Sequence, residues 1–251
     1  MFMRDVTATL AKLRRYDTPT ICNVIELFEV RPRNQGFMDS RIRAAFNDLP
    51  PMVGFACTAA FRSDRPPGTG DAYGSLEAQL ERFAQLPGAA VVVFQDLDDP
   101  PVGATFGEVM CSTYRAFGSA GLISSGGGRD LEQVHALRFP VFTGATICAH
   151  ADCHILHIGL PVRVGGLTVA TGELLHGDLN GVTQIPREIA DEVADIADEF
   201  IAAEAFVMDY VKQDGEKSIQ EFRERSKAMR TAMSKLRARV SRRSAGSTEN
   251  L

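Results

Sequence analysis

The chain has 251 residues, 45% hydrophobic and 24% charged, with a formal net charge of -5. That mixture describes a globular protein with a full core, and the acidic balance argues against a nucleic-acid partner, because phosphate binding wants a basic surface. No apolar run approaches the roughly 20 residues of a membrane span. The N-terminus MFMRDVTATLAKLRRYD lacks the apolar centre of a signal peptide. Five cysteines (Cys22, Cys57, Cys111, Cys148, Cys153) without a CxxC pair read as reduced thiols of a cytoplasmic protein.

In chain order, residues 4–15 form a short amphipathic helix with Val6, Leu10 and Leu13 on one face. Thr18-Pro19 starts the next helix, a capping hydroxyl followed by proline at the first helical position, and it runs to about Glu29. Residues 31–51 read as loop. MVGFACTAAF (52–61) is a buried strand, and SDRPPGTGDAYGS (63–75) is a long loop of the kind that borders sites. LEAQLERFAQL has helical spacing and ends at Pro87-Gly88, and AVVVFQDL (90–97) is a β-branched strand. Strand, helix, strand alternation indicates an α/β domain.

The central stretch, TFGEVMCSTYRAFGSAGLISSGGGRDLEQV (105–134), opens on Gly107-Glu108 and runs through a helical pattern. It crosses the strand GLIS, turns on three glycines and presents Arg129-Asp130. FPVFTG (139–144) is a strand, and 154–186 reads as a β layer of hairpins. From Pro186 a helix carries the stripe Ile189, Val193, Ile196, Phe200, Val207 and Tyr210. Gly215 stops it, a charged helix spans about 217–240, and SRRSAGSTENL is a frayed tail. The partition is one α/β domain over 1–215 and a helical C-terminal extension with its tail over 216–251.

Free amides at a helix N-terminus make an anion site, and Gly107 lets a ligand carboxylate approach. Glu108 could instead only complement the helix dipole. The stretch Ser124–Asp130 would lie beyond a strand's carboxyl end, where α/β ligands bind. Asp130 could hold a hard cation through water, and Arg129 could stabilise an enolate or grip a carboxylate. Asp130 with Gln133 also fits a capping box. The glycines match neither GxGxxG nor GxxxxGK[ST], so no nucleotide site is read. His150, Cys153, His154 and His157 crowd together, but H-x3-H needs a helix to converge, and these surroundings are β-rich. His176 reads as a loop histidine near a site or as a turn residue. No GxSxG or similar nucleophile signature is present.

Taken together, Glu108 and Arg129-Asp130 form an acidic-x20-Arg-Asp pattern. With YDTPTICNVIE, PGAAVVVFQD, FGEVM, GGGRD, GG-x-TV and GDLNGV-x-x-IP, the chain resembles, over about residues 16–215, a family of class II aldolases. These act on 4-hydroxy-4-methyl-2-oxoglutarate and 4-carboxy-4-hydroxy-2-oxoadipate, and the family includes the regulator of ribonuclease activity A. The resemblance implies a three-layer β/β/α fold with a helical C-terminal extension, a homotrimer or homohexamer, and a site between subunits. It implies that the amides of Gly107, Glu108, Val109 and Met110 hold pyruvate's carboxylate, and that Arg129 binds the keto or enolate oxygen. Asp130 would anchor Mg²⁺ or Mn²⁺, and Glu108 would order water there. Glu199 or Glu204 of a neighbouring subunit could approach the metal. Ser125 departs from the aspartate usual at that position.

The expected reaction is a retro-aldol cleavage of a small 4-hydroxy-2-oxo acid. Metal-activated water takes the C4 hydroxyl proton, the C3–C4 bond breaks, and the pyruvate enolate forms beside Arg129. Oxaloacetate decarboxylation would share that enolate. No lysine lies between Lys12 and Lys212 to form a Schiff base. The rivals are a non-catalytic regulator of ribonuclease activity and a lyase or hydratase acting on sugar-derived oxo acids.

Overall fold

A computed structural model describes residues 3–68 and 76–242; most of the 63–75 loop tip and of the tail read as frayed lies outside them. The helices are α1 (Val6–Leu13), α2 (Thr18–Phe28), α3 (Leu76–Phe83), α4 (Glu108–Ala116), α5 (Leu131–Ala136), α6 (Ala190–Lys212) and α7 (Ile219–Val240). The strands are β1 (Arg43–Ala44), β2 (Met52–Arg62), β3 (Ala90–Asp96), β4 (Ala104–Phe106), β5 (Gly121–Gly128) and β6 (Val141–Thr146). They continue as β7 (His154–Ile158), β8 (Val162–Val164), β9 (Leu167–Val169), β10 (Leu174–Asp178) and β11 (Gly181–Ile185).

Among the described residues, nine strands form one mixed sheet with the path β1-β6-β5-β3-β2-β10-β11; β4 adds to β5 and β7 to β2. The β2, β3, β5 and β6 pairings are parallel, so those strands end on the same side. Their apolar runs are continuous because both faces are covered. Along β3 the residues alternate: Val91 and Val93 face the β8–β9 hairpin with Val162, Val164 and Val169. Val92 and Phe94 face the opposite layer with Phe106, Tyr114 and Val134, where α4 and α5 pack. The order of layers is therefore hairpin, sheet, helices, the β/β/α arrangement. Around Leu13, Phe28, Phe55 and Val193 a further cluster gathers α1, α2, α6 and α7 at the β10–β11 side. The apolar stripe of α6 is buried there through Val193, Ile196 and Phe200.

Several local details differ from the sequence reading. Asp17, not Thr18, caps α2, accepting from Thr20 N–H at 2.8 Å. The 31–51 segment contains the two-residue β1, which pairs with β6. Gly126–Gly128 do not turn; they are the extended end of β5. Crowding explains the glycines: an added Cβ would lie 2.5 Å from Asp96 Oδ2 at Gly126 and 2.3 Å from the Phe106 ring at Gly128.

His176 is neither a loop nor a turn residue. It is fully buried in β10, with Nδ1 2.9 Å from Thr18 Oγ1 and Nε2 3.2 Å from the Leu13 carbonyl oxygen. The carbonyl can only accept, so Nε2 donates and Nδ1 accepts from the hydroxyl. Asp178 adds a bond from Thr18 N–H at 2.8 Å. This network ties β10 to the α1–α2 junction. Burial holds the imidazole below its ordinary pKa, that is, neutral. As pH falls through the unfolded histidine value of about 6.5, the unfolded chain gains a proton that the native site resists. Urea unfolding is therefore expected to show stability dropping below about pH 6.5, and His176→Gln to flatten that slope.

Candidate functional site

Arg129 and Asp130 follow β5 directly, and Gly107 ends the β4 connection where α4 begins. β4 pairs with β5 through Ala104↔Gly127 and Phe106↔Gly128, and Arg129 N–H donates to the Phe106 carbonyl oxygen at 3.1 Å. That pairing brings the two polar ends of the central stretch together. They open onto one cavity of about 320 Å³, lined by Glu108, Arg129, Asp130 and the Gly107–Met110 backbone, with Phe61, Ala104, Phe106, His150 and Cys153 among its walls.

Asp130 organises the polar end. Its backbone is left-handed, with φ 54° and ψ 38°, and its side chain makes no capping bond to α5. The capping-box reading with Gln133 therefore does not hold. The carboxylate turns instead to the N-terminus of α4, where Oδ2 accepts from Glu108 N–H at 3.0 Å. Two causes favour this: the amide has no helical acceptor, and the helix dipole attracts the anion. Gly107 makes the approach possible, since a Cβ there would lie 2.6 Å from Asp130 Oδ2. Arg129 Nε lies 3.8 Å from the same oxygen, and both side chains remain about one-third exposed, at 32% and 40%.

Of the four expected carboxylate-binding residues, Glu108 thus has its amide occupied. Cys111 N–H bonds the Gly107 carbonyl oxygen within the helix. The amides of Gly107, Val109 and Met110 have no partner among the described residues, so they are the donors available to a ligand. Glu108 and Val109 are exposed and Met110 is buried.

Among the described residues no three His, Cys, Asp or Glu side chains converge as a ligand cage. Asp130, with Oδ1 uncommitted, is the residue that could hold a hard cation such as Mg²⁺, which keeps most of its waters. His154 Nδ1 donates to the Asp152 carbonyl oxygen at 2.7 Å, and among the described residues the histidines and Cys153 form no ligand group. His150 and Cys153 have another place: both line the cavity, because Ala104 N–H bonds the Ala149 carbonyl oxygen at 2.8 Å and pulls that loop beside β4. Neither this wall nor Phe61 was legible beforehand, since it depends on β7 pairing back onto β2. Within one chain, Glu199 and Glu204 do not line the cavity, and Glu199 pairs with Arg239 at 2.6 Å.

Ser125 faces away, into a separate polar hollow of about 800 Å³ shared with Arg41, Asp96 and Arg163. Its Oγ accepts from Asp96 N–H at 2.9 Å. Serine there spares Asp96 a second carboxylate beside it. Asp96 is itself buried; Oδ1 accepts from Asp98 N–H at 3.0 Å, and Oδ2 has no partner among the described residues. Burial, with a contribution from the Asp98 charge, pushes its carboxyl up to about 6.

Fold and cavity together define an α/β protein with a small site at the carboxyl ends of its parallel strands. It belongs to the RraA-like family (Aldolase/RraA), whose model matches residues 18–183. It is 33% identical over 120 residues, 47% of this chain, to a Halalkalibacterium halodurans protein named "Putative 4-hydroxy-4-methyl-2-oxoglutarate aldolase". It is 31% identical over 96 residues, 38% of this chain, to an uncharacterised protein of Methanocaldococcus jannaschii. The chain spans about half the length of these two relatives, 55% and 46%. Similar folds include an uncharacterised Pseudomonas syringae pv. tomato protein, with TM-score 0.68, 18% identity and coverage of 92% of this chain and 97% of that one. Another is Streptomyces coelicolor RraAS2, described as an unusual member of the RNase ES inhibitor RraA family, with TM-score 0.65, 22% identity and coverage of 85% and 100%.

Two measurements follow from this geometry. Glycine adopts the left-handed backbone of position 130 without the strain that alanine incurs there. Asp130→Gly is therefore expected to resist urea better than Asp130→Ala, by about 1 kcal/mol. For Asp96 the folded pKa lies above the unfolded one, so its contribution is best when protonated and is lost as pH rises from about 4 to about 6. Asp96→Asn should be more stable than the parent above pH 6, by on the order of 1 kcal/mol, with the difference vanishing below pH 4 in the same unfolding assay.

Proposed function

We propose that this protein is a divalent-metal-dependent class II aldolase, a lyase that cleaves a 4-hydroxy-2-oxo acid and releases pyruvate. The observation that carries this reading is the convergence of Glu108, Arg129 and Asp130 with unpartnered amides at the start of α4 on one small cavity. A protein acting only by surface contact has no need of that combination. The aldolase name of the 33% identical relative points the same way.

In this reading the amides of Gly107, Val109 and Met110 hold the substrate's carboxylate, and Arg129 faces its C2 oxygen. Glu108, at the mouth, orders the water that takes the proton from the C4 hydroxyl. As C4–O becomes a carbonyl, which leaves as the co-product, the C3–C4 bond breaks; its electron pair forms the C2=C3 double bond, the C2 carbonyl π pair moves to oxygen, and the resulting enolate is stabilised by the guanidinium. A proton returned to C3 gives pyruvate. Asp130 would hold the Mg²⁺ or Mn²⁺, which when bound would supply Lewis-acid charge stabilisation for the enolate. Among the described residues no lysine lines the cavity, which supports a route without an imine. Oxaloacetate decarboxylation is a side activity through the same enolate, and a homotrimer or homohexamer is the proposed assembly.

Pyruvate release over a panel of 4-hydroxy-2-oxo acids tests the reading. EDTA should abolish release and Mg²⁺ restore it, and Arg129→Ala should lower kcat by about 10²-fold or more. Release that ignores EDTA, or an Arg129→Ala variant within a few-fold of the parent, would refute the mechanism. A panel with no release at all would favour the regulator.

A further inference from the structure

We propose that the outer face of α7 binds single-stranded nucleic acid through its phosphate backbone, without sequence preference. The inference is independent of the aldolase reading, because α7 lies beyond residues 18–183, which match the family model.

The formal charge of -5 conceals a split. Residues 1–215 hold 17 Lys and Arg against 28 Asp and Glu, whereas residues 216–251 hold 10 against 4. From Arg225 to Thr248 there is no acidic residue at all. α7 packs on α2 and α6, and its Met233, Leu236 and Val240 join their core. The other side of the helix therefore meets solvent, and Arg223, Lys227, Arg230, Lys235 and Arg237 are exposed there. Neighbouring cations are spent on holding the segment: Arg225 pairs with Glu221, Arg239 with Glu199 and Arg242 with Glu192. The five exposed ones have no ion pair among the described residues.

Arg223, Lys227, Arg230 and Arg237 stand four, three and seven positions apart, so they form one row along the helix, about 21 Å long. Between the long side chains Thr231, Ser234 and Ala238 are short. With Lys227, Arg230 and Lys235 they line a shallow hollow of about 420 Å³. Like charges fixed in a row repel one another, and a partner with regularly repeated negative charge relieves that repulsion. A phosphate backbone is such a partner, and release of its counterions drives the association. Phe222, next to Arg223 in the chain and 42% exposed, offers a ring on which an unpaired base stacks. Neither a duplex nor an acidic peptide would use that ring. A membrane surface favours apolar side chains beside the cations. Those of α7 are packed inward, except Ile219 and Phe222 at the end of the row away from Arg237. A second copy of this chain is acidic over residues 1–215, but along α6 its Asp191, Glu192, Asp195 and Glu199 already pair with its own cations.

The experiment is fluorescence anisotropy of the full chain with a labelled single-stranded RNA of about 20 nucleotides and mixed sequence. We expect a Kd on the order of 10 µM or tighter at about 50 mM salt. Affinity should fall about 10²-fold by about 200 mM, since five contacts each contribute about 0.7 to the salt exponent. The combined variant Lys227→Gln, Arg230→Gln, Lys235→Gln and Arg237→Gln keeps good helix formers on an exposed face. It should bind about tenfold more weakly or worse at the lower salt, with a flatter salt dependence. No binding at low salt, or a folded variant that binds like the parent, overturns the inference. Tighter binding to a duplex of the same length, to polyglutamate or to phosphatidylserine vesicles also overturns it, since each assigns the face to another partner. Light scattering of parent and variant tests the last rival. A variant that loses the parent's oligomeric state assigns the face to a second copy and overturns the inference, whereas an unchanged state supports it.

Discussion

The site depends on one contact, the Asp130 carboxylate against the first amide of α4. Three features that look unrelated in the chain serve it. Asp130 adopts a left-handed backbone that aspartate tolerates better than most residues. Gly107 has no Cβ and so leaves the carboxylate its place. β4 pairs beside β5, so the N-terminus of α4 lies opposite the end of β5. Remove any of these and the carboxylate would turn outward or cap its own helix. With all three, the helix dipole and the guanidinium hold it 3.0 Å from one donor and 3.8 Å from the other.

The same crowding explains why the residues before Arg129 are glycines. β5 is flanked closely by the Phe106 ring, Asp96 and Ile147, and each would meet a Cβ. Glycine at these positions lets β5 continue to Gly128 despite the register shift between Ser124 and Gly127, so Arg129 and Asp130 emerge beside the start of α4. Parallel pairing of β2, β3 and β5 aligns the strand ends, and the cavity forms where Phe61 and Phe106 close its sides. The scaffold behind it is apolar on both faces of the sheet.

How much was legible varies with the range of the interaction. Helices and strands followed from periodicity and turn residues, because those patterns act within a few residues. Arg129, Asp130 and Glu108 were legible as a set through their spacing and flanking motifs. Thr18 was misread as a cap because its hydroxyl is drawn away by His176, far along the chain. The triple glycine was misread as a turn because glycine marks both turns and close approaches, and only the neighbours distinguish them. His150 and Cys153 invited a metal reading and instead form cavity wall.

From sequence alone come the α/β class, the acidic-x20-Arg-Asp pattern, the lack of a lysine in the body of the chain and the apolar stripe of the long helix. All are properties of residue type and local spacing. Tertiary structure decided which way Asp130 points, which amides at the start of α4 stay free, that Ser125 faces a different hollow, and that the wall beside Arg129 carries Phe61 and Phe106. Those outcomes depend on strand pairings between segments twenty to a hundred residues apart. No local pattern encodes such pairings, because each is set by the packing of the whole sheet.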